Sequence, residues 1–320
     1  MKFNNIFSLF AMAATMSVAF ASCNSSEKLA TNDQDALREL QPMTRAVGPK
    51  TPKLTVYIET NDVNPLNAKE YRFCGTTEEV IDHVILFASN IRGVPSAQSV
   101  SLYHNPNQTY ILNHASTLIQ PLQQKGIKVL LGLLGDHQGV GFANLTPDMI
   151  EDFAQDVASC VNTYGLDGVD FDDEYADYWN AGNYLPSPSG AIYGALVEKV
   201  KQLLPGKLVT AFRFGNAFSF PQSTLNVLDY MWPDFGANNS TPSGFPDRKW
   251  AKLSIHNYNE GYTDPGCYEI NTCASNYSGY GAIMFFNMRE GDQSSYFNCF
   301  APYVWGRNVC WTGVTHYKNY

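Results

Sequence analysis

Eight short apolar runs, separated by stretches with helical spacing, limit what this chain can fold into more than any other feature. They read as strands at 54–59 (LTVYIE), 83–90 (HVILFASN), 127–134 (IKVLLGLL), 166–172 (LDGVDFD), 207–214 (KLVTAFRF), 227–232 (VLDYMW), 250–256 (WAKLSIH) and 281–287 (GAIMFFN). Several are nearly continuous in apolar residues, as parallel strands covered on both faces must be. Two helices between them are clearly marked. The first spans 147–163, with Thr146 as cap and Pro147 at its first position. Its residues Ile150, Phe153, Ala154, Val157, Ala158 and Val161 recur at helical spacing. The second spans 190–204, with Ile192, Leu196, Val197, Val200 and Leu204 inward and Pro205-Gly206 ending it. Eight strand–helix alternations point to a closed α/β architecture, a (β/α)8 TIM barrel, more than to an open sheet. The span 53–320 is close to the ~250 residues typical of such a barrel and is expected to be one domain. Helices of the second half are poorly marked.

The chain begins differently. Lys2 precedes an apolar stretch, Ile6 to Phe20, and then Phe20-Ala21-Ser22-Cys23. A positive start, a short apolar region and small residues before a cut describe an export signal. The stretch is short for a spanning helix, which needs about 20 apolar residues. Cys after Ala-Ser resembles the bacterial lipoprotein cleavage box. That resemblance implies a signal peptide over 1–22, lipid on Cys23, and attachment to the outer membrane, facing the cell surface or periplasm; plain secretion is the alternative. Residues 23–52 are polar and read as a flexible tether, with at most one helical turn over Ala36 to Leu40.

A net charge of -9 with scattered Lys and Arg argues against nucleic acid as a partner, which requires a basic stripe. The 19 Tyr, 19 Phe and 5 Trp beside only 16% charged residues suit sugar binding, and equally an ordinary large core. Of the seven Cys, Cys267/Cys273 and Cys299/Cys310 lie close enough in sequence that they could pair locally, the connectivity staying open, and Cys160 is expected to be a buried free thiol. No CxxC pair occurs and the six His are scattered, which argues against a structural zinc site. There is no Gly-rich phosphate loop and no G-x-S-x-G elbow, and no cofactor or metal is called for.

The stretch YGLDGVDFDDEYADY, 164–178, carries the chemistry. Residues two apart on a strand share a face, roughly 6.6–7 Å apart. Asp170, Asp172 and Glu174 therefore line one face, with Val169, Phe171 and Asp173 opposite. On a fourth barrel strand Asp170 sits deepest and Glu174 reaches the C-terminal rim, where barrel active sites are built. Two acids beneath it raise the pKa of the rim acid. D-x-D-x-E also opens calcium loops, but the sixth position is Tyr175 in place of Gly and the twelfth is Ala181 in place of Glu. A structural acid cluster without catalysis remains the bland alternative.

D-G-V-D-F-D-D-E matches the D-G-x-D-x-D-x-E signature of glycoside hydrolase family 18. The segments PLQQKGIKVLLGLLGDHQGVGFANL (121–145) and YGLDGVDFDDEYADY resemble endo-β-N-acetylglucosaminidases of the Endo H and Endo F type, and GYGAIMFFNMRE (279–290) looks like their last strand. The resemblance implies substrate-assisted, retaining cleavage of the GlcNAc–GlcNAc bond in the core of N-linked glycans, an exception to the two-carboxylate scheme. It implies Glu174 as acid and base, Asp172 as the partner of the sugar's acetamido N–H, and Asp170 as its tuner. Asp167 resembles the motif's structural acid. It is grouped with His137, Tyr175, Trp179, Tyr230, Trp232, Tyr258 and Asn287 as candidate substrate contacts, although rim aromatics as often pack loops and a rim His is more often exposed than basic. Two places depart from the pattern. Family members tend to read D-Y-x-W-N-P-Y-Y-G after the sixth strand, where this chain has Asp229-Tyr230-Met231-Trp232-Pro233-Asp234-Phe235-Gly236, and Phe212-Arg213 replaces a Tyr-Asn pair after the fifth. Tyr230 or Asp234 is the expected substitute for the lost hydroxyl. The expected partner is an N-glycan or glycoprotein, bound by a monomer. A glycan-binding lipoprotein on the same barrel and a chitinase are the alternatives.

Overall fold

The computed structural model describes residues 50–320. The expected signal peptide 1–22, Cys23 and nearly all of the expected tether 23–52 lie outside the described residues. The eight apolar runs form eight strands: β1 (Lys53–Glu59), β2 (His83–Val94), β3 (Lys128–Leu134), β4 (Gly168–Asp172), β5 (Leu208–Arg213), β6 (Tyr230–Pro233), β7 (Ala251–Asn257) and β8 (Ala282–Phe286). They pair in parallel in the order β7-β8-β1-β2-β3-β4-β5-β6. The seam between β6 and β7 is closed by isolated bridges, Met231 to Trp250 and Gly236 to Ser254, and by the Ser254 hydroxyl donating to the Pro233 carbonyl at 2.9 Å. β6 has only four residues and ends in Pro233, which has no N–H for a ladder.

The apolar residues divide into two layers. Val169 and Phe171 face outward into the core between strands and helices, which also takes Phe153, Val157, Val161, Leu196 and Val197. Tyr57, Ile85, Leu130, Phe212, Trp232 and Met284 face inward and fill the barrel. The strand alternation thus puts Asp170 and Asp172 inside it. α1 (Pro147–Thr163) and α2 (Gly190–Leu203) begin where their caps place them: Thr146 accepts from Met149 N–H and Ser189 from Ile192 N–H.

Four features differ from the sequence reading. β2 runs to Val94 instead of ending at Asn90, because it folds back on Ser99–Tyr103 as an antiparallel hairpin, with Arg92 3.3 Å above the Tyr103 ring. The β1–β2 connection carries a 3-10 turn (Pro65–Glu70) and a short strand (Tyr71–Phe73), with no α-helix. The β6–β7 connection, ANNSTPSGFPDRK, is too rich in Gly, Pro and Asn for a helix and carries only the 3-10 turn Asp247–Lys249. The disulfides are Cys74–Cys310 and Cys267–Cys299, and Cys273 is a buried free thiol like Cys160. Cys267 and Cys273 share the helix Cys267–Ala274, where six residues rise about 9 Å, too far for a bridge. The pairing of Val309–Trp311 with Tyr71–Phe73 instead carries Cys310 beside Cys74.

Candidate active site

At the C-terminal ends of the strands opens a cavity of about 390 Å³, bordered by Asp172, Glu174, Tyr175, Phe212, Asp234, Phe235 and His256. Its acidic wall is built from β4 upward. Asp170 is fully buried and accepts from the Tyr57 hydroxyl and the Thr210 hydroxyl, both at 2.6 Å. Tyr57 in turn accepts from the Trp232 indole N–H at 2.5 Å. Burial pushes the Asp170 carboxyl up to about 7, against the pull of those two donors.

Asp172, two residues on, is only 4% exposed, and its Oδ1 has no hydrogen-bond partner although the residue borders the cavity. Burial first, then the charges of Glu174, Asp170 and Asp173, holds this carboxyl well above the usual range. An orphaned oxygen in such a place waits for a donor from a ligand. Glu174 is half-buried, and burial followed by the Asp234 charge raises its pKa.

The chain around these acids is tightly determined. Gly135, His137 and Gly139 donate backbone N–H bonds to the carbonyls of Glu174, Tyr175 and Ala176, extending the β3–β4 pairing past the strand ends. A Cβ on Gly135 would lie within 3.0 Å of that backbone, so only glycine allows the approach. His137, Tyr175, Asp177 and Asn287, all at this rim, have positive φ, a backbone state that clusters at functional sites. Asp173, on the other face, accepts from the Tyr178 hydroxyl and from the backbone and side chain of Asn216, the latter two at 2.9 Å, and so ties the β4 and β5 loops together.

Of the residues singled out in the sequence, Asp172, Glu174 and Tyr175 meet in the cavity, with Asp170 directly beneath. Others fall elsewhere. Asp167 lies at the opposite end of β4, bonded to Lys128 at 2.9 Å and to Val129 N–H at 3.0 Å, and cannot touch a substrate in the cavity. Tyr230, at the start of β6, sits at that same far end beside His83, so it cannot replace the lost hydroxyl. Trp232 is completely buried and supports Tyr57 instead of stacking on sugar. His137 is exposed and paired with Asp177 at 2.9 Å. Trp179 stands 77% exposed on the rim loop. Asn287 is nearly buried and accepts from Arg289 at 2.8 Å, while Tyr258 stacks on His256 just outside the cavity. Of the two departures in the sixth-strand loop, Asp234 and Phe235 both border the cavity.

Tyr57, Glu59 and His256 were not singled out. A period-two reading of LTVYIE places Tyr57 and Glu59 on one face at the rim end of β1, and that signal finds them. His256 stands second from last in β7 and is inferred the same way.

A barrel of eight parallel strands whose fourth carries two buried acids, one with an unpartnered oxygen, below a rim acid of raised pKa is the framework of a glycoside hydrolase. No family model matches the chain. It is 35% identical over 261 residues to an endo-β-N-acetylglucosaminidase of Flavobacterium sp. (strain SK1022), covering 80% of this chain and 81% of that protein. It is 33% identical over 251 residues to endo-β-N-acetylglucosaminidase F1 of Elizabethkingia meningoseptica, covering 74% and 71%. Among solved structures it is similar to Bacteroides thetaiotamicron EndoBT-3987 with Man5GlcNAc product, at a TM-score of 0.72 and 30% identity, covering 85% of this chain. It spans 65% of that structure's chain. The chain belongs to the endo-β-N-acetylglucosaminidases of glycoside hydrolase family 18.

Proposed function

We propose that this enzyme hydrolyses the β-1,4 bond between the two GlcNAc residues of the N-glycan core, using the substrate's own acetamido group. The observation that carries the reading is Asp172, a buried acid with an unpartnered oxygen, lining the same cavity as Glu174. The acetamido N–H donates to Asp172. The acetamido carbonyl oxygen then attacks the anomeric carbon, the glycosidic C–O bond breaks, and the leaving oxygen takes the Glu174 proton. The oxazolinium so formed is positive, and a positive charge beside Asp172 favours its anionic form. In the second step Glu174, now a carboxylate, takes a proton from water as the water oxygen attacks the same carbon. The bond to the acetamido oxygen breaks and its electron pair returns to the carbonyl, giving net retention.

The test separates the two acids. Glu174→Gln is expected to lower hydrolysis of an N-glycoprotein by about 10²–10⁴-fold while glycan binding survives. Asp172→Asn is expected to lose hydrolysis yet still turn over a sugar supplied as its oxazoline, which Glu174→Gln processes poorly. Equal behaviour of both variants on the oxazoline would sink this division of labour.

Export and lipid attachment at Cys23 are part of the same proposal, supported by the apolar leader and the Ala-Ser-Cys sequence. They place a monomeric enzyme where glycoproteins from outside the cell are met.

A further inference from the structure

Past the cavity, β7 turns back on itself through an aromatic hairpin. The return segment Thr263–Asp264 pairs antiparallel with Asn257 and His256. Tyr258 N–H donates to the Tyr262 carbonyl at 2.9 Å, Gly261 N–H donates to the Tyr258 carbonyl at 3.1 Å, and the Tyr296 hydroxyl bonds the Gly261 carbonyl. The turn is therefore held by backbone and side chain together.

Along it runs a ladder of rings. Phe235, in the cavity wall, lies 4.6 Å from His256, which also borders the cavity. His256 lies 3.9 Å from Tyr258, and Tyr258 stacks on Tyr262 at 4.7 Å with 17° between the planes. Aromatic surface thus continues without a break from the cavity to the rim. Tyr258 covers one face of Tyr262, yet Tyr262 remains 54% exposed, so its other face meets solvent. A backed, fixed ring loses little freedom when the apolar face of a pyranose settles on it. The charges nearby are of one sign: Asp264, Asp234 and Glu260 all act on His256. Carboxylates accept hydrogen bonds from sugar hydroxyls and repel a sugar that carries its own carboxylate.

We propose that Tyr262, backed by Tyr258, is a specificity-determining platform that stacks a neutral hexose arm of the glycan whose core occupies the cavity. The proposal rests on the endoglycosidase reading above. It goes further by assigning the ring that receives the arm and by selecting neutral over acidic arms.

Binding to the Glu174→Gln enzyme tests it with three glycopeptides: one rich in neutral hexose, the same one trimmed to its core, and one with carboxylate-bearing terminal sugars. Adding Tyr262→Ala is expected to weaken the hexose-rich ligand about tenfold, closing most of its gap over the trimmed ligand. Tyr262→Phe is expected to keep the gap, because stacking needs the ring and not the hydroxyl. Equal weakening of both ligands, no weakening, or acid-terminated arms bound as tightly as neutral ones would overturn the proposal. Wild-type enzyme run on the same three decides the other question. If it cleaves none of them the endoglycosidase reading fails, and the binding gap alone then judges the platform.

Discussion

In the proposed mechanism Glu174 has to hold a proton while Asp170 and Asp172 stand on β4 beneath it and Asp234 shares its cavity. Burial first, then the charge of Asp234, pushes its pKa upward, so the carboxyl keeps its proton partly through a residue of the loop after β6. That residue belongs to the loop where the chain departs from its relatives' pattern, Pro233-Asp234-Phe235. The sign follows directly. Removing a like charge lets Glu174 ionise more readily, and the alkaline limb of a pH–rate profile reports the acid that must stay protonated. Asp234→Asn is expected to move the alkaline limb of kcat/KM to lower pH, with the acid limb moved less. An alkaline limb that stays in place would show that burial alone holds the Glu174 proton.

At the level of elements, the β3–β4 pairing decides where Glu174 stands. Gly135 lets the backbone of Glu174 to Ala176 lie against β3 beyond the strand ends, and a methyl group there meets only backbone atoms. Gly135→Ala is expected to cost about 1–3 kcal/mol in denaturant unfolding. It is also expected to lower kcat roughly 10²-fold, the usual loss for a displacement of about 1 Å at the chemistry. A variant that loses stability but keeps kcat would mean that this pairing supports the fold without setting the acid. The strands were legible because an inner barrel strand must be apolar on both faces, and 128–134 or 282–286 can be nothing else. The acids of β4 were legible because their period-two spacing is local. Tyr57 under Asp170 was not, since that contact joins residues 113 apart and no local pattern encodes it. Tyr230 misled for a related reason: its place in a motif fixed its sequence position but not which end of a four-residue strand it occupies.

For the whole molecule, the two disulfides and the leader sequence bear on one question. Cys74–Cys310 joins positions separated by 236 residues and so ties the segment after the short strand Tyr71–Phe73 to the strand Val309–Trp311. Connectivity of this kind is invisible in spacing alone, because any pairing of the same Cys satisfies the count. Such bonds persist in oxidising compartments, and a bridge closing a long loop is worth about 2–5 kcal/mol. The disulfides are compatible with the export proposed above, and reduction is expected to lower unfolding stability by roughly that amount. Anchoring adds a second requirement. Lipid on Cys23 with two or more acyl chains gives stable attachment, whereas one chain gives only reversible binding. Full-length protein is expected in the membrane fraction. Cys23→Ala is expected to leave it soluble or unprocessed, with hydrolysis by the released barrel retained, since Cys23 precedes every residue of the cavity. Membrane fractionation unchanged in Cys23→Ala would end the lipid proposal. Unfolding insensitive to reductant would remove the disulfides' support for an oxidising compartment.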